Sequence, residues 1–180
     1  MAVWRNLSLL LSSLLSLSCS VSPPAGVKPV DHFTVDRYLG TWYEIARLDH
    51  TFERGLSHVT ARYVLRPNGS LKVINRGYSA AKQRWQQNIG KAHFIGSPHT
   101  ASLKVSFFGP FYGGYHVIAL DKDYRYALVA GPSHDYLWLL SRTPTLEEQA
   151  RQALLQTART FYFPVDDLIW VKQDMPPPST

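Results

Sequence analysis

The sequence predicts an all-β fold: an eight-stranded antiparallel barrel with one α-helix packed outside it and a short ninth strand near the end. Three observations predict it. From Trp42 to Arg142, short β-rich segments alternate with turn signals. Within them the apolar residues recur at every second position: Val59, Ala61, Tyr63 and Leu65 share one face, His58, Thr60 and Arg62 the other. After Arg142 the period changes once, to that of a helix. Eight strands close into a barrel whose interior either is filled by side chains or holds one small ligand.

The chain opens on Met1 to Asn6, with one cation, Arg5, and no acid. Leu7 to Leu17 follow as leucines and serines without charge, too short a run to span a bilayer as a helix. That pattern reads as an export signal over residues 1–18. Cys19, the only cysteine, comes next, and an odd cysteine in an exported chain needs an explanation. Leu15-Ser16-Leu17-Ser18-Cys19 resembles the site at which bacterial lipoproteins are cut and acylated, with Ser16 standing where leucine is usual. Ser16 and Ser18 also suit an ordinary small-x-small cleavage site. The expected organisation is a cleaved signal (1–18), a lipidated N-terminus and tether (19–33), a barrel domain (34–173) and a flexible tail (174–180) containing Pro176-Pro177-Pro178. With one cysteine no disulfide forms within the chain, so packing alone holds the fold.

Strands are expected near Trp42–Leu48, His58–Arg66, Ser70–Tyr78, Trp85–Phe94, Ala101–Phe108, Gly114–Leu120, Arg125–Ala130 and Tyr136–Arg142. Pro67-Asn68-Gly69-Ser70 is a hairpin signal, read as a type I′ turn, which also explains the Asn68-Gly69-Ser70 sequon as turn chemistry. Thr145 followed by Glu148 reads as a capping box opening a helix from Leu146 to about Thr160. Its apolar stripe is Leu146, Ala150, Ala153, Leu154 and Phe161; Pro164 ends it, and Leu168 to Val171 add the ninth strand.

Three short motifs then coincide with strand positions. Gly40-Thr41-Trp42-Tyr43 stands at the first strand, Asp123-Tyr124 between the sixth and seventh, and Arg142 at the end of the eighth. Together they resemble the three signatures of the lipocalins, with Lys122 where threonine is usual. The stretches Tyr38 to Gly55, Leu103 to Leu120 and Asp135 to Pro144 are similar to the bacterial outer-membrane lipoprotein, apolipoprotein D-like branch of that family. The resemblance covers nearly the whole chain between the tethers. It implies an up-and-down barrel, attachment to the outer membrane through acyl groups such as palmitate on Cys19, and binding of fatty acids or lysophospholipids. It also implies that Trp42 lies at a closed base with Arg142 against its ring, a cation–π contact with a structural role.

In such a barrel alternate connections share one end. Trp42 and Arg142 mark the base, together with the Asn68-Gly69 turn, Gly96 to Pro98 and Asp121 to Tyr124. The other end, the mouth, carries Asp49 to Leu56, Ser79 to Arg84, Gly109 to Gly113 and Gly131 to Asp135. Phe52, Phe111 and Tyr112 fall on mouth loops, where aromatics cap a pocket, touch a membrane or pack on neighbouring loops. The expected cavity wall is Val59, Ala61, Tyr63, Leu103, Val105, Phe107, Tyr115, Val117, Tyr136 and Trp138. Core filling is the alternative for each, because alternation gives a face but not a depth.

Catalysis finds little support. The seven histidines show no ligand spacing, no other cysteine is at hand, and no metal or cofactor is expected. Ser133-His134-Asp135 holds triad letters, but neighbours in a turn point apart. Gly109 to Gly114 lacks the lysine of a phosphate loop. Glu44 shares its expected face with Trp42, Ala46 and Leu48, and needs a partner, Arg62 or Arg142. The net charge of +6 contains no lysine or arginine run, so no nucleic-acid partner is expected. The leading expectation is a non-enzymatic carrier or store for fatty acids or lysophospholipids, membrane-bound through its N-terminal acyl groups. A lipid-converting enzyme of the same fold, and a filled barrel serving as a protein-interaction module, are the alternatives; the aromatic mouth also admits a homodimer.

Overall fold

The computed structural model describes residues 21–175; the expected signal, Cys19 and residues 176–180 lie outside them. A short helix α1 (Val35–Tyr38) leads into β1 (Gly40–Arg47), β2 (Leu56–Leu65), β3 (Leu71–Ser79) and β4 (Arg84–Phe94). There follow β5 (Ser102–Ser106), β6 (Gly113–Leu120), β7 (Tyr126–Ala130), β8 (Leu137–Ser141), α2 (Glu148–Thr160) and β9 (Ile169–Trp170). Each of β1 to β8 pairs antiparallel with its sequence neighbour, and β1 pairs with both β2 and β8, which closes the barrel. β9 joins β1 from outside through Ala46↔Trp170 and Arg47↔Ile169.

Two apolar layers hold these elements. Inside, Trp42, Tyr63, Leu71, Val73, Leu103, Val117 and Val129 pack together; outside, Ile45, Ala46, Leu48, Leu128, Leu137 and Leu139 pack under α2. Both layers draw on β1, whose alternation is broken by a bulge between Glu44 and Ala46. The extra residue reverses the side-chain phase. Trp42 and Glu44 face inward as expected, but Ala46 and Leu48 turn outward and Arg47 turns in. Glu44 is therefore paired with Arg47 at 2.7 Å, not with Arg62 or Arg142.

The Asn68-Gly69 hairpin also differs from its expected form. Gly69 N donates to Arg66 O at 2.9 Å, and Gly69 alone in the turn is left-handed, at φ 77°. Pro67 holds the first corner near φ of about −65°, which excludes a type I′ turn and gives a type I turn followed by a left-handed glycine. Asn68 Oδ1 accepts from both Ser70 N and Ser70 Oγ, which fixes the corner.

α2 begins at Glu148, and no side chain caps it. The Thr145 carbonyl accepts from the Ser141 and Thr143 hydroxyls, which folds 141–145 into a turn that stops short of the helix. Glu148 instead accepts from Gln152 at 2.7 Å and pairs with Arg151 at 2.6 Å. The buried face is Ala150, Leu154, Leu155 and Ala158; Ala153 is exposed, because the arc centres on Leu154 and Ala158, more than a quarter-turn away.

The described part of the expected tether, 21–33, lies on the barrel. Val27 is buried in the outer layer and Phe33 in the inner one. Val30 N donates to Val117 O, Ala101 N to Val30 O, and Phe33 N to His99 O, all within 3.0 Å. At the other end the chain is held as far as Asp174, whose carboxylate bonds His58 Nε2.

Candidate ligand cavity

The strands enclose a cavity of about 620 Å³ that opens at the mouth end. Of the expected wall, Val59, Ala61, Tyr63, Val105, Phe107, Tyr115, Tyr136 and Trp138 line it. Leu103 and Val117 do not: they are buried in the packed inner layer below the cavity. Phe52, Phe111 and Tyr112 all line the entrance, joined by Phe108, which is three-quarters exposed. Val73, Leu56 and Leu140, the polar Asn75, Gln86 and Asn88, and the charged Arg76 also line it, with Glu44 and Glu53 on the upper wall. Val73 and Asn75 follow the β3 alternation and were legible on that ground; Leu140 sits on the face of Trp138.

The floor is a tyrosine triad. Tyr115 Oη is 2.7 Å from Tyr38 Oη and accepts from Tyr63 Oη at 2.8 Å. Burial drives all three hydroxyls above the ordinary tyrosine range, so the floor is neutral at any physiological pH. Beneath it the barrel is plugged. The Tyr38 and Trp42 rings lie 4.7 Å apart, and Phe33 packs on Tyr38. The Arg142 guanidinium sits 4.0 Å from the Trp42 ring centre and donates to the carbonyls of Thr41, Tyr124 and Arg37. Tyr124 is buried in a left-handed conformation at φ 59°, and its hydroxyl accepts from Thr34 N. Asp123 is exposed; the carboxylate that orders this loop belongs to Asp121. It takes Asp123 N, Arg125 N and the Arg125 guanidinium, which hold it down to about 2. Gly40 opens β1 beside Arg142, with Thr41 between it and Trp42.

A polar cluster stands on the upper wall. Arg47 Nη1 donates to Glu44, and its Nη2 to the carbonyls of Glu53 and Leu56, while its buried Nε has no partner. Glu53 Oε2 accepts from Trp138 Nε1 at 3.0 Å and lies 3.0 Å from His50 Nε2, close enough for an ion pair but off the hydrogen-bonding line. Burial and the neighbouring Glu53 charge lift Glu44 well above the carboxylate range despite Arg47. Burial also opposes ionisation of Glu53, but His50, the Trp138 N–H and Arg47 outweigh it and hold that carboxyl below its ordinary value. Glu44 with Arg47, and Glu53 with His50, stand as close acid–base pairs within the cluster.

The triad letters of the 131–135 loop do not converge. Ser133 Oγ donates to Asp135 Oδ2, while His134 Nε2 turns away to the Phe161 carbonyl, 2.9 Å off. Among the described residues no three acid, histidine or cysteine side chains gather as metal ligands.

A barrel sealed at one end and open at the other onto a mostly apolar interior is a container for a small apolar molecule. Known proteins agree. A family model described as a lipocalin-like domain matches residues 33–173. The chain is 58% identical to the outer membrane lipoprotein Blc of Citrobacter freundii, covering 90% of this chain and 92% of that one. It is 49% identical to the Blc of Vibrio cholerae, over 94% and 99%. The fold matches insecticyanin of the tobacco hornworm with a TM-score of 0.68 at 20% identity, over 83% and 85% of the two chains. The chain belongs to the lipocalin family. Within it, the chain is a lipid-binding lipoprotein of the bacterial outer membrane, and it is a binding protein rather than an enzyme.

Proposed function

We propose that the cavity takes the acyl chain of a fatty acid or lysophospholipid and stores or carries it, head group toward the mouth. The observation that carries this reading is the form of the cavity: about 620 Å³, mostly apolar along its walls, neutral at its floor and open at one end. That volume falls inside the roughly 300–1,000 Å³ of small-molecule sites. Each buried methylene contributes about 0.8 kcal/mol, so a long chain supplies roughly 10 kcal/mol before ordering costs, without a charged anchor. An open cavity also argues against the filled-barrel alternative. The same reading takes residues 1–18 as a cleaved signal and Cys19 as the acylated residue that holds the protein to its membrane.

The test is mass spectrometry of protein purified from its bacterial host without added lipid, intact and after extraction into organic solvent. A stoichiometric fatty acid or lysophospholipid, with acyl mass on the intact chain, is the expected result. Empty protein that also fails to take up added acyl chains overturns the reading.

A further inference from the structure

The tyrosine floor leaves one proton over. Tyr38, Tyr63 and Tyr115 bring one hydroxyl proton each, and among the described residues these hydroxyls bond only to one another. Tyr63 donates to Tyr115, and the bond between Tyr115 and Tyr38 uses one of the two protons that those residues hold. The remaining proton belongs to Tyr38 or to Tyr115. On Tyr38 it would be buried under the floor with no protein acceptor. On Tyr115 it can reach the cavity, which Tyr115 lines and Tyr38 does not. A buried donor left unmet is costly, so Tyr38 donates to Tyr115 and Tyr115 carries a donor for whatever enters.

A second unmet group stands one step nearer the mouth. β3 faces the interior with Val73, Asn75 and Gly77. Val73 pairs with Tyr63 at the level of the floor, and Asn75 lies two residues on, about 7 Å along the strand. Asn75 Oδ1 is buried and has no hydrogen-bond partner. Its neighbours across the sheet, Ala61 and Asn88, also line the cavity. A plain hydrocarbon tail reaching this depth would leave both the Tyr115 proton and the Asn75 oxygen unmet. A sixteen-carbon tail does reach it: β3 climbs from Val73 to Ser79 at the mouth over about 20 Å, the length of such a chain extended.

An unmet donor beside an unmet acceptor fits one kind of group. A hydroxyl both donates and accepts. A carboxylate donates nothing, and Arg142 beneath the floor is already bonded to three carbonyls. We propose that the inner end of the cavity is a hydroxyl-recognition site, where Tyr115 donates to, and Asn75 accepts from, a hydroxyl at the far end of an acyl ligand. Chains hydroxylated at that end are then held in preference to plain chains of the same length. This inference rests on the acyl-binding reading above, head group toward the mouth, and adds which chain the barrel selects.

The test is isothermal titration of the full chain with hexadecanoate, 16-hydroxyhexadecanoate and 2-hydroxyhexadecanoate. We expect the 16-hydroxy acid to bind at least as tightly as hexadecanoate. A hydroxyl taken into an apolar pocket without a partner loses roughly tenfold or more in affinity, and weaker binding of the 16-hydroxy acid overturns the site. Tyr115→Phe and Asn75→Leu should each move the ratio of the two affinities about tenfold toward hexadecanoate. A ratio that neither variant moves overturns the assignment to these residues. The 2-hydroxy acid, whose hydroxyl stays at the mouth, should keep its ratio to hexadecanoate in both variants; a shift as large as that of the 16-hydroxy acid overturns the depth of the site. Hexadecanoate bound with the 16-hydroxy acid refused strikes this inference alone. If hexadecanoate itself is not taken up, the acyl-binding reading falls and this inference falls with it.

Discussion

The two ends of the barrel are built from similar residues and do opposite work. At the base, aromatic rings, one guanidinium and the start of the chain are locked together: Trp42 is wholly buried, and Arg142 satisfies three carbonyls while covering its ring. At the mouth, Phe108 and Phe111 stand in the open, while Phe52 stacks on His50 beside the Glu44–Arg47–Glu53 cluster just inside. Aromatic content does not separate the ends; what covers the aromatics does. A ring under a cation and a backbone plug contributes to stability, whereas the same ring on a loop tip is free to meet a ligand or a membrane.

That contrast breaks or sharpens under substitution. Trp42→Ala should cost the most, about 3–5 kcal/mol of unfolding free energy in a denaturant titration, because a large cavity opens in the plugged end. Arg142→Leu removes the cation and leaves three carbonyls without a donor, for about 2–3 kcal/mol, and Arg142→Lys should not restore it, since one ammonium cannot reach all three. At the mouth, Glu44→Gln tests the buried acid. Its folded value is raised, so its contribution to stability is fully present below the ordinary carboxylate range and is lost as pH rises through the folded value. The variant should therefore gain on the wild type at neutral and higher pH, by about 1–2 kcal/mol, and the difference should vanish near pH 4. Phe111→Ser should move stability by less than about 0.5 kcal/mol while weakening retention of an acyl probe. A Phe111→Ser loss as large as that of Trp42→Ala would erase the distinction between the two ends.

How much of this was legible in the sequence follows the same division. The strands could be read because each has one face toward the inside, and the base because three short motifs converge on it. The wall was readable as a face but not as a depth: Leu103 and Val117 keep the alternation of their strands yet lie below the cavity. The partner of Glu44 was out of reach because one inserted residue in β1 inverts every side chain after it, and Glu44-Ile45-Ala46-Arg47 carries no signal for that insertion. Segment 21–33 was hidden for a different reason. Its prolines and serines have tether-like composition, and its hold on the barrel runs through backbone groups, which composition does not record.

The closure of β1 on both β2 and β8 also bears on how the chain reaches its native state. Gly40 pairs with Tyr63 nearby, but Tyr43 must find Ser141, which emerges almost a hundred residues later. Contacts so far apart carry a high loop-closure cost and slow the search. Until the eighth strand arrives, both margins of the sheet are unpaired and open to other chains. A polypeptide of this design gains its protection only at the last step, when its eighth strand has found its first.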